Sequence, residues 1–511
     1  MTELSDMSAA GRLSGLSAAR AERAALACAV LAAVALLWLA PRPPMVDLPQ
    51  HAAQVAAWRD LIAGNNLFAD ELRVNLATPY LVGYGLALPF AFLFEPASAL
   101  RIVLSGALLG FFVAGQGLRR ALDADPRLDW LWLAGFFGFA WQWGFFTFLV
   151  AAPILLLVAR LQLRHAAAPT AGAALTLAAA GGALLFCHGL LFLFALVIGA
   201  CLTLEILLRD GFAAALRRVA PYVAMLVMLA AFMALRAALS ESAPATGAHF
   251  GEAPWLRPIT ALVFVWSASE AIPAALLTAV ALAAPWLMGL RPTRRGGVAL
   301  FAAVALVLAA APDFAMGTGF LQQRFALFLA PFYGLMFARA PRGGFAPAQF
   351  ALIGAVAAGL ALTGARQIAF AREAQDFERA LAAAEPGRRA LALVFDRASA
   401  AAANPVAYLH WPAWYGADRR GFVDFSFAQF HPQVVRLKKG EPVFVGEQEG
   451  WRPQDFDWAG WRGDRYGYFF ARGGEAEIAA LRAKIPCQTR LTPAGTWTLI
   501  EPEGCAAQPA R

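Results

Sequence analysis

Charge is what this chain has least of. Asp, Glu, Lys and Arg make up 15% of its 511 residues, against about 25% in an ordinary soluble domain. That shortfall excludes a typical water-soluble enzyme. Lysine is almost absent, with only Lys438, Lys439 and Lys484, all late in the chain. Cysteine is sparse as well. Cys28, Cys187 and Cys201 lie in apolar runs, Cys487 and Cys505 lie near the C-terminus, and no pair has the Cys-x-x-Cys spacing of a zinc or redox motif. No repeat period and no low-complexity segment beyond alanine-rich stretches is present. What is abundant is apolar: 60% of residues are hydrophobic and 12% aromatic, with a mean hydropathy of +0.57, which excludes disorder. The formal net charge of +8 points to nucleic acid only if the cations cluster on a soluble surface.

They do not. The first apolar run, Ala24 to Ala40, follows Arg12, Arg20 and Arg23 and lacks a small-x-small cleavage site, so it reads as an uncleaved first membrane helix. Further runs near the 20 residues a bilayer requires are centred at Ala107, Phe137, Leu155, Leu177, Leu196, Leu226, Leu277, Val304, Phe332 and Ala355, making eleven expected spans. Two shorter stretches, Pro79 to Phe94 and Ile259 to Ser267, remain. With the N-terminus in the cytoplasm, sixteen of the 23 Lys and Arg residues before Arg366 fall inside, among them Arg119, Arg120, Arg127, Arg160, Arg164, Arg209, Arg217, Arg218, Arg291, Arg294, Arg295, Arg339 and Arg342. Only Arg42, Arg59, Arg73, Arg101, Arg236, Arg257 and Arg324 fall outside. This is the positive-inside bias, and it accounts for the basic charge without nucleic acid. The threading requires Pro79 to Phe94 to lie at the outer face without crossing.

After Ala365 the composition shifts: 17 of the 34 acids and all three lysines fall in the last 146 residues. An odd number of spans places this part outside, in the periplasm of a Gram-negative cell. Strands are expected at Ala390 to Phe395, Tyr466 to Phe470 and Thr496 to Ile500, and a helix at Gly474 to Lys484. Cys487 and Cys505 flank the last strand, where an oxidising compartment permits a disulfide and two free thiols fit equally. The expected architecture is therefore a polytopic α-helical membrane protein of the inner membrane, residues 1–365, with 41–97 as a first outer loop carrying interfacial helices. Residues 366–511 form an extracytoplasmic α/β domain.

In a membrane part this apolar, ionisable groups near the outer face are the informative ones. From Leu48 onward the pattern fits an interfacial amphipathic helix, with Pro49 in its first turn and Asp47 as N-cap. Asp47 and His51 are four apart and share a face. A carboxylate held there suits general-base work on an acceptor hydroxyl or amine. The same pair offers a divalent metal only two ligands, too few to indicate one.

At this point the chain resembles the GT-C integral-membrane glycosyltransferases, in the branch that uses lipid-phosphate sugars and includes aminoarabinose and protein O-mannosyl transferases. That branch carries Asp-Glu-x-x-Tyr after its first helix. Asp47-Leu48-Pro49-Gln50-His51 matches the first acid, puts His51 at the aromatic position and has Leu48 in place of the second acid. Thr78-Pro79-Tyr80-Leu81-Val82-Gly83-Tyr84 is similar to the family's (Lys/Thr)-Pro-(Leu/Ile)-x-x-(Trp/Gly)-Tyr. Gln323-Arg324-Phe325-Ala326-Leu327-Phe328-Leu329-Ala330-Pro331 is similar to Arg-Tyr-x-Leu-x-x-x-Pro. His188-Gly189 stands where relatives place lysine and glycine. A further aspartate that relatives carry after the third span is missing from Trp141-Gln142-Trp143-Gly144-Phe145-Phe146-Thr147.

The resemblance implies a transferase moving a sugar, with inversion, from a polyprenyl-phosphate carrier to a glycan, lipid or protein acceptor at the outer face. Asp47 would be the base, and Arg324 with His188 would hold the donor phosphate, a role arginine's planar fork suits. His51, Tyr80 and Trp143 would bind substrate. No cofactor is called for, and the expected partners are lipids and sugars, not nucleic acid. Trp130, Trp132, Trp141 and Trp143 read mainly as an interfacial belt. His249, Glu252 and Arg257 form a polar island in a solvated loop. In the C-terminal domain Phe425 and Phe427 alternate as a half-buried strand would, and His410 and His431 read as surface histidines. The domain is expected to position the acceptor without contributing a catalytic group. The rival reading is a lipid-carrier or polysaccharide transport or assembly protein without transferase activity, but the paired, broken halves of a transporter are not visible.

Overall fold

The computed structural model describes residues 20–239, 247–251, 253–266, 271–292, 296–315, 317–340 and 347–505. Arg12, Glu252, Arg294, Arg295 and Arg342 of the sequence reading lie outside them. Among the described residues five helices are long and apolar enough to cross a membrane: Pro96–Leu122, Phe146–Ala167, Gly189–Asp210, Ala220–Leu239 and Pro347–Ala383. Leu81–Leu93, Ala171–Cys187, Ile272–Leu287 and Gly297–Ala310 are apolar but shorter, and a further helix covers 20–36. Among the described residues, the eleven full-length spans expected do not form.

The runs around Phe137 and Phe332 show why. The first breaks into Leu131–Ala134 and Phe139–Gln142, and the second is a helix of nine residues, Ala326–Gly334, about 14 Å long. Both are buried on all sides, and irregular backbone at membrane depth is tolerated only inside protein. A Cβ on Gly135 would lie 2.6 Å from the Leu327 carbonyl oxygen, so glycine permits the two broken segments to touch backbone to backbone. Apolar runs that pack on each other inside a bundle have the composition of spans without the need to be straight.

Both broken segments join the same two ends of the helix layer. At one end the Asp125 amide donates to the Phe337 carbonyl, Arg339 to Asp123 and Ala338 to Arg291, and the Arg218 Nε donates to the Ala166 carbonyl. Arg119, Arg127, Arg218, Arg291 and Arg339, all threaded to the inside, lie here. At the other end the Val46 amide donates to Gln142, an Arg101 guanidinium donates to the Ala40 carbonyl, and Pro79 packs on Gly189. Leu81–Leu93 is 13 residues with Pro89 inside it, too short to cross, as the arginine count requires.

The helix after Asp47, Leu48–Ile62, is not an interfacial helix with one wet face. Leu48, Gln50, His51, Ala52, Gln54, Val55, Ala56, Trp58 and Asp60 are all buried, because the C-terminal domain sits on it. Helix Ala413–Arg419 packs along its length. The Gln50 side chain donates to the Phe425 carbonyl and accepts from the Phe427 amide, and Gln54 accepts from the Val435 amide at 2.8 Å. Strand Leu72–Val74 of the first outer loop pairs antiparallel with Val435–Leu437. Arg42 bridges to Glu378 and Asp418, and Arg389 joins Glu71 to Asp424. One hydrophobic core runs through both parts without a break.

The C-terminal sheet has five strands in the order Phe422–Asp424, Arg389–Val394, Tyr468–Arg472, Trp497–Glu503, Gln488–Ala494. The first three are parallel and the last two antiparallel. Its expected strands and its helix, Glu475–Ala483, appear within three residues of the sequence reading. Phe425 and Phe427 are the exception: the strand stops at Asp424 and a 3-10 turn, Phe427–Gln429, follows under a Ser426 cap. Cys487 and Cys505 are disulfide-bonded. The composition break at 365/366 falls inside the continuous helix Pro347–Glu373, so the last long helix carries the sheet domain directly.

Candidate functional site

Asp47 stands at the junction of the two parts. Gly144 makes its position possible. With φ of +75° it turns the chain so that Trp143 accepts a 2.9 Å hydrogen bond from the Asp47 amide. A Cβ there would lie 2.9 Å from the Asp47 and Leu48 nitrogens. Only glycine meets both demands. Asp47 occupies the N-cap position of Leu48–Ile62, yet its side chain makes no cap hydrogen bond. It turns instead toward His410, whose Nε2 lies 3.5 Å from Oδ1.

The two groups share a cavity of about 140 Å³. Asp47, His51, Tyr80, Trp143 and Arg324 all line it, so the structure brings five of the six expected site residues together. The sixth, His188, is absent from the lining. It lies at the junction of Ala171–Cys187 and Gly189–Asp210, and its ring packs on Tyr80 at 5.1 Å and Phe148 at 5.3 Å. Among the described residues its ring nitrogens find no hydrogen-bond partner. Tyr80 stands between it and the cavity.

The C-terminal domain supplies the opposite wall: His410, Phe425, Phe427, Phe430, Gln433, Trp451 and, at the rim, Glu447. The domain thus brings ionisable groups, His410 and Glu447, into the cavity, and the reading of His410 as a surface histidine is overturned, since it is 6% exposed. The expected tryptophan belt also fails. Trp130, Trp132 and Trp141 are packed in the core, and Trp143 lies against Phe320 with centroids 4.1 Å apart.

Burial pushes the Asp47 carboxyl from its ordinary 3.8 up to about 7, with the Arg324 charge pulling it down and Glu447 adding a smaller push up. Burial lowers His410 to about 3, so near neutral pH one carboxyl faces one neutral imidazole. His51 is also lowered to about 3, by burial first and then by the charge of Arg324. Its Nδ1 lies 2.6 Å from the Tyr84 hydroxyl, which donates to the Gln433 Oε1 at 2.5 Å. This chain makes Nδ1 the protonated nitrogen and leaves Nε2 as an acceptor on the cavity side. Arg324 donates through Nε and Nη2 to the Phe320 and Gly319 carbonyls and lies 3.5 Å over the Phe145 ring. Nη1 is the nitrogen left for the cavity. Gln322, Gln323 and Arg257 all turn to Asp313 and are not part of this wall. His249 lies in a two-residue strand paired with Phe314–Ala315.

Among the described residues no group of three His, Cys, Asp or Glu side chains is placed to hold a metal ion. The arrangement offers a base with a pKa near neutrality, an acceptor nitrogen, one cation and aromatic walls. Such walls suit a sugar ring, whose C–H faces pack on aromatic faces. Sequence reasoning did not place His410, Gln433 or Phe320 in the site, and named Tyr84 only as the last residue of the Thr78–Tyr84 motif.

No family model matches the chain, and no curated protein does. Among solved structures it is similar to the cryo-EM structure of the arabinofuranosyltransferase AftD from Mycobacteria, with a TM-score of 0.46 and 15% sequence identity over 93% of this chain. The chain spans 39% of that protein's length.

Proposed function

We propose that this chain is a membrane glycosyltransferase of the GT-C kind, moving a sugar from a polyprenyl-phosphate carrier to an acceptor at the end of the helix layer that bears the sheet domain. The observation that carries this reading is the cavity itself. It places a carboxyl with a pKa of about 7 and an arginine in one aromatic-walled space, level with the ends of apolar helices. A base poised near working pH is the kind general-base chemistry favours.

In this scheme ionised Asp47 takes the proton of an acceptor hydroxyl as its oxygen forms a bond to the anomeric carbon. The bond from that carbon to the phosphate oxygen breaks, and the lipid phosphate leaves with the electron pair. Arg324 Nη1 meets the negative charge that develops there. His410 acts as a positioning residue: with the proton on Nε2, its neutral ring faces Asp47 as a donor and favours the ionised carboxylate. His51 Nε2 accepts from a sugar or acceptor hydroxyl, and Trp143 and Tyr80 pack on the ring. His188 holds Tyr80 from behind and does not itself touch the donor phosphate. In this reading the transfer takes place at the outer face of the inner membrane.

A strain lacking the chain tests this. Its lipid extract should accumulate one polyprenyl-phosphate sugar relative to the parent, reversed by the wild-type chain and not by Asp47→Asn. An unchanged lipid-linked sugar profile would count against the reading.

A further inference from the structure

Two carbonyl oxygens set the direction in which Arg324 points. Its Nε donates to Phe320 at 3.1 Å and its Nη2 to Gly319 at 2.8 Å, so the guanidinium is held only as firmly as that stretch of chain. Phe320 is an outlier there. Its φ is +55°, in the left-handed region where Cβ crowds the following carbonyl and bulky residues are rarely found. A residue strained in this way keeps its conformation only where its surroundings over-determine it. The Phe320 ring, packed on Trp143 at 4.1 Å, supplies one restraint. The backbone on either side of Phe320 supplies the other, because both sides lead to Asp313.

Asp313 is the meeting point of three outer segments. Its amide donates to the His249 carbonyl, and its carbonyl accepts from the Leu321 amide at 3.1 Å. Its Oδ1 accepts from the side-chain amides of Gln322 and Gln323 at 3.0 and 2.9 Å. Its Oδ2 accepts from the Gly251 amide and pairs with Arg257 at 3.3 Å. Arg257 is buried and also donates to the Ala311 carbonyl, so it is not part of a solvated loop. Four donors on one side chain need the lone pairs of both carboxylate oxygens; asparagine would turn an NH₂ toward half of them. Leu321, Gln322 and Gln323 follow Phe320 directly. Just before it, Thr318–Gly319 pairs with Phe314–Ala315, which adjoins Asp313. One residue therefore clamps the strained turn from both sides. Asp313 does not line the cavity, so it reaches the chemistry only through Arg324.

We propose that Asp313 is a positioning residue for Arg324, locking the turn at Phe320 so that Nη1 faces the space where a phosphate binds. The proposal rests on the transferase reading, in which Arg324 meets the donor phosphate. Losing Asp313 should then cost recognition of the phosphate and spare recognition of the lipid tail, a split that a general loss of structure does not produce.

Native mass spectrometry of the full chain in detergent, titrated with polyprenyl monophosphate and separately with uncharged polyprenol, reads this split without turnover. The wild type should prefer the phosphate about tenfold or more, as expected for a charged hydrogen bond. Arg324→Gln should erase the preference, and Asp313→Asn should cut it about fivefold or more with polyprenol binding unchanged. Adding Asp313→Asn to Arg324→Gln should weaken the phosphate lipid no further, because residues that act through one another are not additive. A folded Asp313→Asn protein with the wild-type preference would overturn the proposal. So would equal losses for the two lipids, or losses that multiply in the double variant. Should Asp313→Asn fail to fold, Gln322→Leu combined with Gln323→Leu keeps the Asp313–Arg257 pair and should cut the preference about threefold; an unchanged preference would again overturn it. If the wild type itself shows no preference for the phosphate, the donor site of the transferase reading fails, and hydrogen exchange decides the clamp alone. Amides of residues 319–325 should then exchange about tenfold faster in Asp313→Asn, and unchanged exchange would overturn the role of Asp313.

Discussion

Raising the pH from about 5 to about 8 should weaken the folded protein, and Asp47→Asn should remove most of that weakening. The Asp47 pKa is about 7 in the folded chain against 3.8 as its ordinary value. Between those values the folded state holds a proton that the unfolded state has released, so stability falls as pH rises. The contribution is fully present below about pH 4 and is lost as the pH passes 7. At 1.36 kcal/mol per unit, a shift of about three units is worth about 4 kcal/mol. Roughly 3 kcal/mol of it falls between about pH 5 and 8. Asp47 keeps 14% of its side-chain surface open to the cavity, so these are upper figures. A chain of 511 residues melting as a unit, at about 2.1 cal/mol/K per residue, loses about 1 kcal/mol per degree, which makes the effect about 3 °C in Tm. Thermal melts in detergent across this range, wild type against Asp47→Asn, read it directly. Asparagine has no charge to bury, so the variant should melt above the wild type at alkaline pH and match it near pH 4. Parallel curves for the two proteins would refute the buried-carboxyl reasoning.

His410→Phe keeps a ring among Phe425 and Phe427 and removes the nitrogen facing Asp47; the midpoint of the pH–rate profile should move up by about one unit, and an unmoved midpoint would exclude His410 as a positioning residue. Gly144→Ala puts a methyl against the Asp47 amide at a positive φ; turnover should drop at least tenfold, given how steeply rates depend on placement, with about 2 kcal/mol of lost stability, and unchanged turnover would show that this turn does not set the base. A chain cut after Ala365 should lose donor cleavage altogether, because it loses half the cavity wall; cleavage by a folded truncated protein would contradict the shared site.

Several parts of this molecule are legible from sequence for physical reasons. Long unbroken spans such as Gly189–Asp210 announce themselves because lipid contact demands a continuous apolar run of bilayer length. The buried strand at Arg389–Val394 shows through its unbroken apolar residues. The runs centred at Phe137 and Phe332 read as spans because composition reports burial and not straightness. Gly135 and Gly138 mark close backbone approach only once the partner backbone is known. The same limit explains the helix after Asp47: its polar positions Gln50 and Gln54 look solvated, yet they bond backbone groups of residues 425–435 more than 370 positions away. Within the site, Asp47, His51, Tyr80 and Trp143 were visible because they lie in short, polar-marked outer segments. His410 was not, since nothing local ties residue 410 to residue 47. The contact exists only because the sheet domain folds back onto the first outer loop.

The central claim is that Asp47 is the base of a transferase using a polyprenyl-phosphate sugar. The most direct measurement gives purified full-length protein such a donor with an acceptor and follows release of the polyprenyl phosphate. Wild type should release it with inversion at the anomeric carbon, and Asp47→Asn should be slower by about 10²- to 10⁴-fold, the range typical of a lost general base. Release by Asp47→Asn at the wild-type rate would contradict the role of Asp47, and no release by the wild type from any polyprenyl-phosphate sugar would contradict the transferase itself.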